Sequence, residues 1–174
     1  MVVVQAGFVV GVLAGEPQRG GGAGPVGGAP QGVLLVAGHF AVNARAVWLL
    51  IKAFAEHHPA DTTTEARGRI VALTSDHAAR NLPYGASKGA LDRIVVAAAV
   101  ELADRGIRAN VINPGPIDTG WMSPQIRQMA VTQTPAGRLG TPADTADLVR
   151  FLMSDAGGWI TGQVLYSNGG FRTG

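Results

Sequence analysis

Three stretches of residues 69–112 decide the fold: Arg69-Ile70-Val71-Ala72-Leu73-Thr74, then Pro83-Tyr84-Gly85-Ala86-Ser87-Lys88-Gly89-Ala90-Leu91, then Gly106-Ile107-Arg108-Ala109-Asn110-Val111-Ile112. The first is short, apolar and rich in branched residues, which predicts a buried strand. The second opens a helix expected over residues 84–105, with Gly106 placed to cap its end. The third predicts another strand, stopped by Asn113-Pro114-Gly115-Pro116. Two strands joined through a helix imply a crossover, and crossovers imply a parallel sheet. The fold class is therefore α/β.

The same alternation extends outward. Residues 40–56 are apolar with polar positions at Asn43, Arg45 and Lys52, and read as a helix. Residues 59–68 read as a polar connection. Thr141-Pro142-Ala143-Asp144 reads as a helix start, with threonine as N-cap, proline at the first position and an acid at the third. That helix is expected to end near residue 154. Gln163-Val164-Leu165-Tyr166-Ser167 reads as a last strand.

Composition changes near residue 38. Residues 1–38 hold 11 of the 25 glycines and two charged side chains, Glu16 and Arg19. Residues 16–30 show neither helical nor strand period and read as a flexible loop. Apolar runs at residues 2–13 and 33–37 flank it, and either is a candidate buried strand. The run at residues 2–13 lacks the basic leader of a signal peptide. It is also short and glycine-rich for a membrane span. A soluble, cytoplasmic protein is expected.

At 174 residues the chain is long enough for one domain with a core, and at 47% hydrophobic and 15% charged it does not read as disordered. The net charge of +2 carries no block of like charges, and Arg67, Arg69, Arg80, Arg105 and Arg108 are spread over different elements, so no nucleic-acid surface is indicated. Cysteine is absent, and His39, His57, His58 and His77 show no metal-ligand spacing, so no metal site is expected.

Tyr84 and Lys88 lie four apart, on one face of the predicted helix. A phenol ordinarily titrates near ~10, and a neighbouring ammonium favours its ionised form. The pair reads as a general acid/base.

The order of these features resembles the short-chain dehydrogenase/reductase family. It runs from a helix bearing Asn43, through a strand ending at Ser75 and Tyr84-x-x-x-Lys88 on a helix, to a strand ending in Asn113-Pro114-Gly115. Gly137-Arg138-Leu139-Gly140-Thr141-Pro142-Ala143-Asp144, Trp159-Ile160-Thr161-Gly162-Gln163 and Asn168-Gly169-Gly170-Phe171 extend the likeness over roughly residues 39–171. The resemblance implies a partial Rossmann-like, doubly wound parallel sheet with flanking helices. It also implies hydride transfer between NAD or NADP and an alcohol or carbonyl carbon. Tyr84 would carry the proton. Lys88 would lower the tyrosine pKa and hold the nicotinamide ribose. Ser75 would hydrogen-bond the substrate oxygen, and Asn43 would hold a water linking Lys88 to solvent. Pro114, Gly115, Ile117 and Thr119 match the segment along the nicotinamide and phosphates.

Taken singly, these residues have plainer readings. Ser75 suits a strand end, Asn43 a helix surface, Lys88 solvent, and Pro114-Gly115 a generic turn. Thr119 suits a cap for a short helix opened by Trp121 and Met122. Asp76, His77 and Asp118 have no assigned role and read as solvated loop residues. Trp121, Met122, Met129 and Trp159 suit either a substrate pocket or core packing.

The family's Gly-x-x-x-Gly-x-Gly turn does not appear. Gly7 and Gly11 supply the first two glycines, but Leu13 stands at the third, and no Asn-Asn-Ala-Gly strand end precedes residue 39. No acidic residue marks the adenosine ribose, so NAD and NADP both remain open. The interval of nine from Ser75 to Tyr84 is short for the family.

Residues 1–38 are thus expected to be an atypical Gly-rich segment, poorly ordered or with short strands. Residues 39–174 are expected to form the C-terminal part of the family's domain, the N-terminal dinucleotide half being lost or replaced. Two functions compete. One is an NAD(P)-dependent oxidoreductase acting on a small-molecule alcohol or carbonyl. The other is a truncated, non-catalytic relative acting through oligomerisation. In either case a homodimer or homotetramer would form through the helices near 40–56 and 84–105.

Overall fold

A computed structural model describes residues 2–4, 31–59, 68–75 and 82–171. Strand β1 is Val2–Val4, helix α1 is Gln31–Phe40, and a π-helical turn over Ala41–Ala46 carries α1 without a break into α2, Val47–His57. Then come β2 (Gly68–Leu73), α3 (Leu82–Glu101), β3 (Ile107–Asn113), α4 (Pro124–Gln133), α5 (Pro142–Met153) and β4 (Val164–Tyr166). The four strands form one sheet in the order β1-β2-β3-β4, with every neighbouring pair parallel. The α/β doubly wound reading therefore holds.

Alternation along the strands sorts the core into two layers. Ile70 and Ala72 of β2, with Ile107, Ala109 and Val111 of β3, meet Val47 and Ile51 of α2 and Leu91 and Val95 of α3. Val71 and Ile112 point the other way and meet Leu152 of α5. Helices thus cover both faces, as strands whose residues are buried on both sides require. On the α5 side, the buried Asn110 donates to the Ile160 carbonyl at 2.8 Å and accepts from the Gln163 amide at 3.1 Å, fixing the approach to β4.

The helix ends follow the local chemistry. Gly106 adopts φ 68° after a short 3-10 turn at Ala103–Arg105, the left-handed cap expected of it. At the start of α5, Thr141 accepts from the Asp144 amide while Asp144 reaches back to the Thr141 amide, a reciprocal capping box.

Two segments differ from the sequence expectations. Residues 33–37 lie within α1 rather than in a strand, because a short apolar run has no period of its own and here continues a helix that runs on through Asn43. The short helix expected to open at Trp121 and Met122 starts instead at Pro124, as α4. It is opened by Ser123, whose side chain accepts from the Ile126 amide with Pro124 at the first position, so the cap is Ser123 and not Thr119. The expected flexible loop over 16–30 lies outside the described residues, as does most of the connection at 59–68. Among the described residues, no helix is long and apolar enough to cross a membrane.

Candidate active site

The parallel register pairs Leu73 of β2 with Ile112 of β3, so both strands deliver their carboxyl ends to the same edge of the sheet. The ladder runs one residue further, with the Thr74 amide donating to the Ile112 carbonyl at 2.9 Å. Ser75 therefore leaves β2, and Pro114 leaves β3, side by side. This is the edge where ligands sit in open parallel sheets. Helix α3 starts there, and Tyr84 and Lys88 occupy its first two turns.

Lys88 is 1% exposed, and its Nζ donates to the Leu73 carbonyl at 2.9 Å. The same Nζ lies 5.8 Å from the centre of the Tyr84 ring. The Ser75 side chain lies near enough to the Tyr84 hydroxyl to pull its pKa down. Behind the ring, the buried His39 of α1 packs edge-on, with ring centres 5.6 Å apart. Asn43 sits in the π-helical turn, fully buried, and its Nδ2 donates to Ser87 Oγ at 2.9 Å. Ser87 Oγ in turn donates to the Tyr84 carbonyl at 2.7 Å. Asn43 thereby fixes the first turn of α3, which bears the phenol. Its Oδ1 is buried without a hydrogen-bond partner. Such π turns gather at functional sites.

Burial sets the titration of both catalytic candidates. It lowers the Lys88 ammonium from 10.5 to about 8, with the Asp92 charge pulling back up. It raises the Tyr84 phenol above 10.0, with the Ser75 side chain pulling down. The downward pull on the phenol thus comes from Ser75. The expected source, Lys88, directs its ammonium at the sheet instead.

The β3 exit is held by backbone geometry. Gly115 has φ +64°, and its amide donates to Asn113 Oδ1 at 3.1 Å. A Cβ there would run into Asn168, so the segment approaches that loop as only glycine allows. Ile117 pairs with Gly140 in a single parallel bridge. Thr119 is exposed. Asp118 is not merely solvated: it pairs with Arg127 of α4 at 2.6 Å.

The structure brings Asn43, Ser75, Tyr84 and Lys88 together and places Pro114 and Gly115 directly after β3 at the same edge of the sheet, while Ile117 is drawn to Gly140 and Thr119 is exposed beyond it. Asp76 and His77 lie outside the described residues. Trp121 and Met129 are exposed and Trp159 is 95% exposed, so none of the three packs in the core. Sequence reasoning missed Ser87, His39 and Asp92. Two of these carried a signal in their spacing: His39 stands four before Asn43 and Asp92 four after Lys88, each one helical turn away.

The chain belongs to the short-chain dehydrogenase/reductase family: a family model described as enoyl-(acyl carrier protein) reductase matches residues 35–172. It is 41% identical over 140 residues to the uncharacterized oxidoreductase YjdA of Bacillus subtilis, across 78% of this chain and 55% of that protein. It is 35% identical to the chloroplastic NADPH-dependent aldehyde reductase-like protein of Arabidopsis thaliana, across 76% of this chain and 50% of that one. Among solved structures, the angucycline C-6 ketoreductase LanV with bound NADP superposes with a TM-score of 0.67 at 30% identity, over 78% of this chain and 53% of its own. The reductase LugOII of lugdunomycin biosynthesis superposes with a TM-score of 0.70 at 31% identity, over 81% and 56%. The chain spans about half the length of the curated relatives it matches.

Proposed function

We propose that this chain carries the proton-transfer half of an NAD- or NADP-dependent oxidoreductase that interconverts a carbonyl and an alcohol. The observation that supports it is the pairing of the Ser75 and Tyr84 hydroxyls at the mouth of the sheet, with the Lys88 amine below the phenol ring. Two neighbouring hydroxyls can both donate to one substrate oxygen. Ser75 holds that oxygen and stabilises its growing charge, and Tyr84 gives it a proton. In the oxidative direction Tyr84 takes the proton back. Lys88 is a charged donor under the ring, and Asn43 Oδ1, a buried acceptor without a partner, suits an ordered water on the route from Lys88 to solvent.

The residues fit a nicotinamide nucleotide at this edge. Thr119 offers an exposed hydroxyl beyond the β3 exit, and Tyr84 and Lys88 offer donors for a ribose. When bound, the nicotinamide supplies or accepts the hydride. The relatives' names, an NADPH-dependent aldehyde reductase-like protein and a ketoreductase holding NADP, support this cofactor class and a carbonyl substrate. Titration with NADPH and with NADH, followed by nicotinamide fluorescence, tests it. Saturable binding is expected, and no change at millimolar nucleotide would overturn the reading.

A second reading, a non-catalytic relative that acts by assembling, draws on the helix pair α2 and α3. Trp48 is 53% exposed and Leu50 nearly as much, and Val100 of α3 is 76% exposed. Large apolar side chains left open on packed helices suit a partner. A homodimer or homotetramer through these helices is compatible with either reading.

A further inference from the structure

The Lys88 amine does not stand alone in its burial. One turn further along α3, on the same face, Asp92 is half-buried, and its Oδ1 is enclosed by protein without a hydrogen-bond partner. Thr74, at the exit of β2, is 6% exposed, and its hydroxyl is also enclosed and closes no full hydrogen bond. It nevertheless lies near enough to the Asp92 carboxyl to favour its ionised form. The cluster of Thr74, Lys88 and Asp92 therefore fills the seam between the end of β2 and the middle of α3.

Helix stability does not account for Asp92. Aspartate is a poor residue for a helix interior. A lysine preceding its acid by four is the weaker orientation of such a pair. An enclosed carboxylate oxygen left without a hydrogen bond is destabilising. The position holds a charge that packing alone would not choose.

We propose that Asp92 is a positioning residue for Lys88: a negative charge, set against Thr74, that keeps the buried amine protonated and donating to the Leu73 carbonyl. The inference rests on the functional reading of Lys88 given above. The ammonium is already engaged with Leu73, so Asp92 acts on it through space. Burial pulls Lys88 down to about 8, and Asp92 is the charge that works against it. In return, burial raises Asp92 from 3.8, while Thr74, Lys88 and Arg93 favour its charged form. The other groups facing this seam are Tyr84 on α3, His39 of α1 against the Tyr84 ring, and Asn43 of the π turn through Ser87. Without the Asp92 charge, the amine would lose much of its proton near neutral pH and cease to be a charged donor beneath the phenol.

The test is a pH titration of the full chain labelled with 13C-lysine, read by NMR for the wild type and for Asp92→Asn, which keeps the shape and removes the charge. The Lys88 midpoint is expected to fall by about one pH unit. An unmoved midpoint would overturn the proposal. Lys88→Met, in a chain labelled at aspartate, reads the same coupling from the other side with Asp92 left in place. The Asp92 midpoint should rise, and an unmoved one overturns the proposal even where Asp92→Asn does not fold. Both titrations are made without nucleotide. Shifted midpoints in a chain that fails to bind NADPH would uphold the Asp92–Lys88 coupling and remove the functional reading. Binding with unmoved midpoints would do the reverse.

Discussion

Replacing Lys88 with methionine should change how the stability of this protein depends on pH. The folded-state pKa of Lys88 is depressed from 10.5 to about 8. At about 1.4 kcal/mol per pH unit, that depression corresponds to roughly 3 kcal/mol of destabilisation whenever the lysine is charged in both states. Below pH 8 the penalty is complete and constant. Between 8 and 10.5 the unfolded chain holds a proton that the folded chain has released, so unfolding takes up a proton and stability rises with pH. Methionine keeps much of the apolar stem and abolishes the titration. It also leaves the Leu73 carbonyl without its donor, a cost that does not vary with pH. The slope, rather than the offset, is therefore the quantity to read. Urea unfolding of both proteins at steps from pH 7 to pH 10 would supply it. The wild type should gain about 2 kcal/mol on the variant between pH 8 and pH 10. Parallel curves would show that Lys88 titrates as an ordinary surface lysine and would refute the burial argument.

Other perturbations test other levels of the account. Leu91→Ala, at a fully buried position between α3 and the sheet, should lose about 2–5 kcal/mol in urea unfolding; a loss under ~1 would contradict the packing described. Gly115→Ala must accept φ +64° and a clash with Asn168, so its thermal midpoint should fall by several degrees and its NADPH affinity with it; a variant matching the wild type in both would refute the close approach. Trp48→Glu places a charge on the open face of α2, and on the proposal that this face joins two copies its mass by light scattering should fall below that of the wild type; an equal mass would remove α2 from the proposed contact.

From β2 onward, every strand and helix but α4 was legible because its signals are local. Branched apolar runs mark β2 and β3, Gly106 marks a left-handed cap, and Thr141 with Asp144 marks a capping box. The run at residues 33–37 was not legible, since its helical state is inherited from the longer helix it joins. Helix α4 carried a Ser-Pro start at Ser123 and Pro124, but its apolar positions are too sparse to show a period. Tyr84 and Lys88 could be paired from spacing alone, whereas the links that hold them are tertiary. The Leu73 carbonyl comes from β2 and Asn43 from the π turn, with Ser87 of α3 between Asn43 and Tyr84, and the bonds made by Lys88 and Ser87 go to backbone carbonyls, which no side-chain pattern records. Burial was the other hidden variable. It raises the phenol and lowers the amine, and it turns Asp92 from an ordinary helix-surface acid into a partner of Lys88.

The central claim is that the Tyr84 hydroxyl exchanges a proton with a substrate oxygen beside a nicotinamide. The most direct measurement is nicotinamide-coupled turnover of an aldehyde and ketone panel by the wild type and by Tyr84→Phe, with matched circular dichroism to show that both are folded. The account predicts that the variant loses at least about 100-fold in kcat while keeping its fold and its nucleotide affinity within a few-fold. Equal turnover in the two proteins would contradict it.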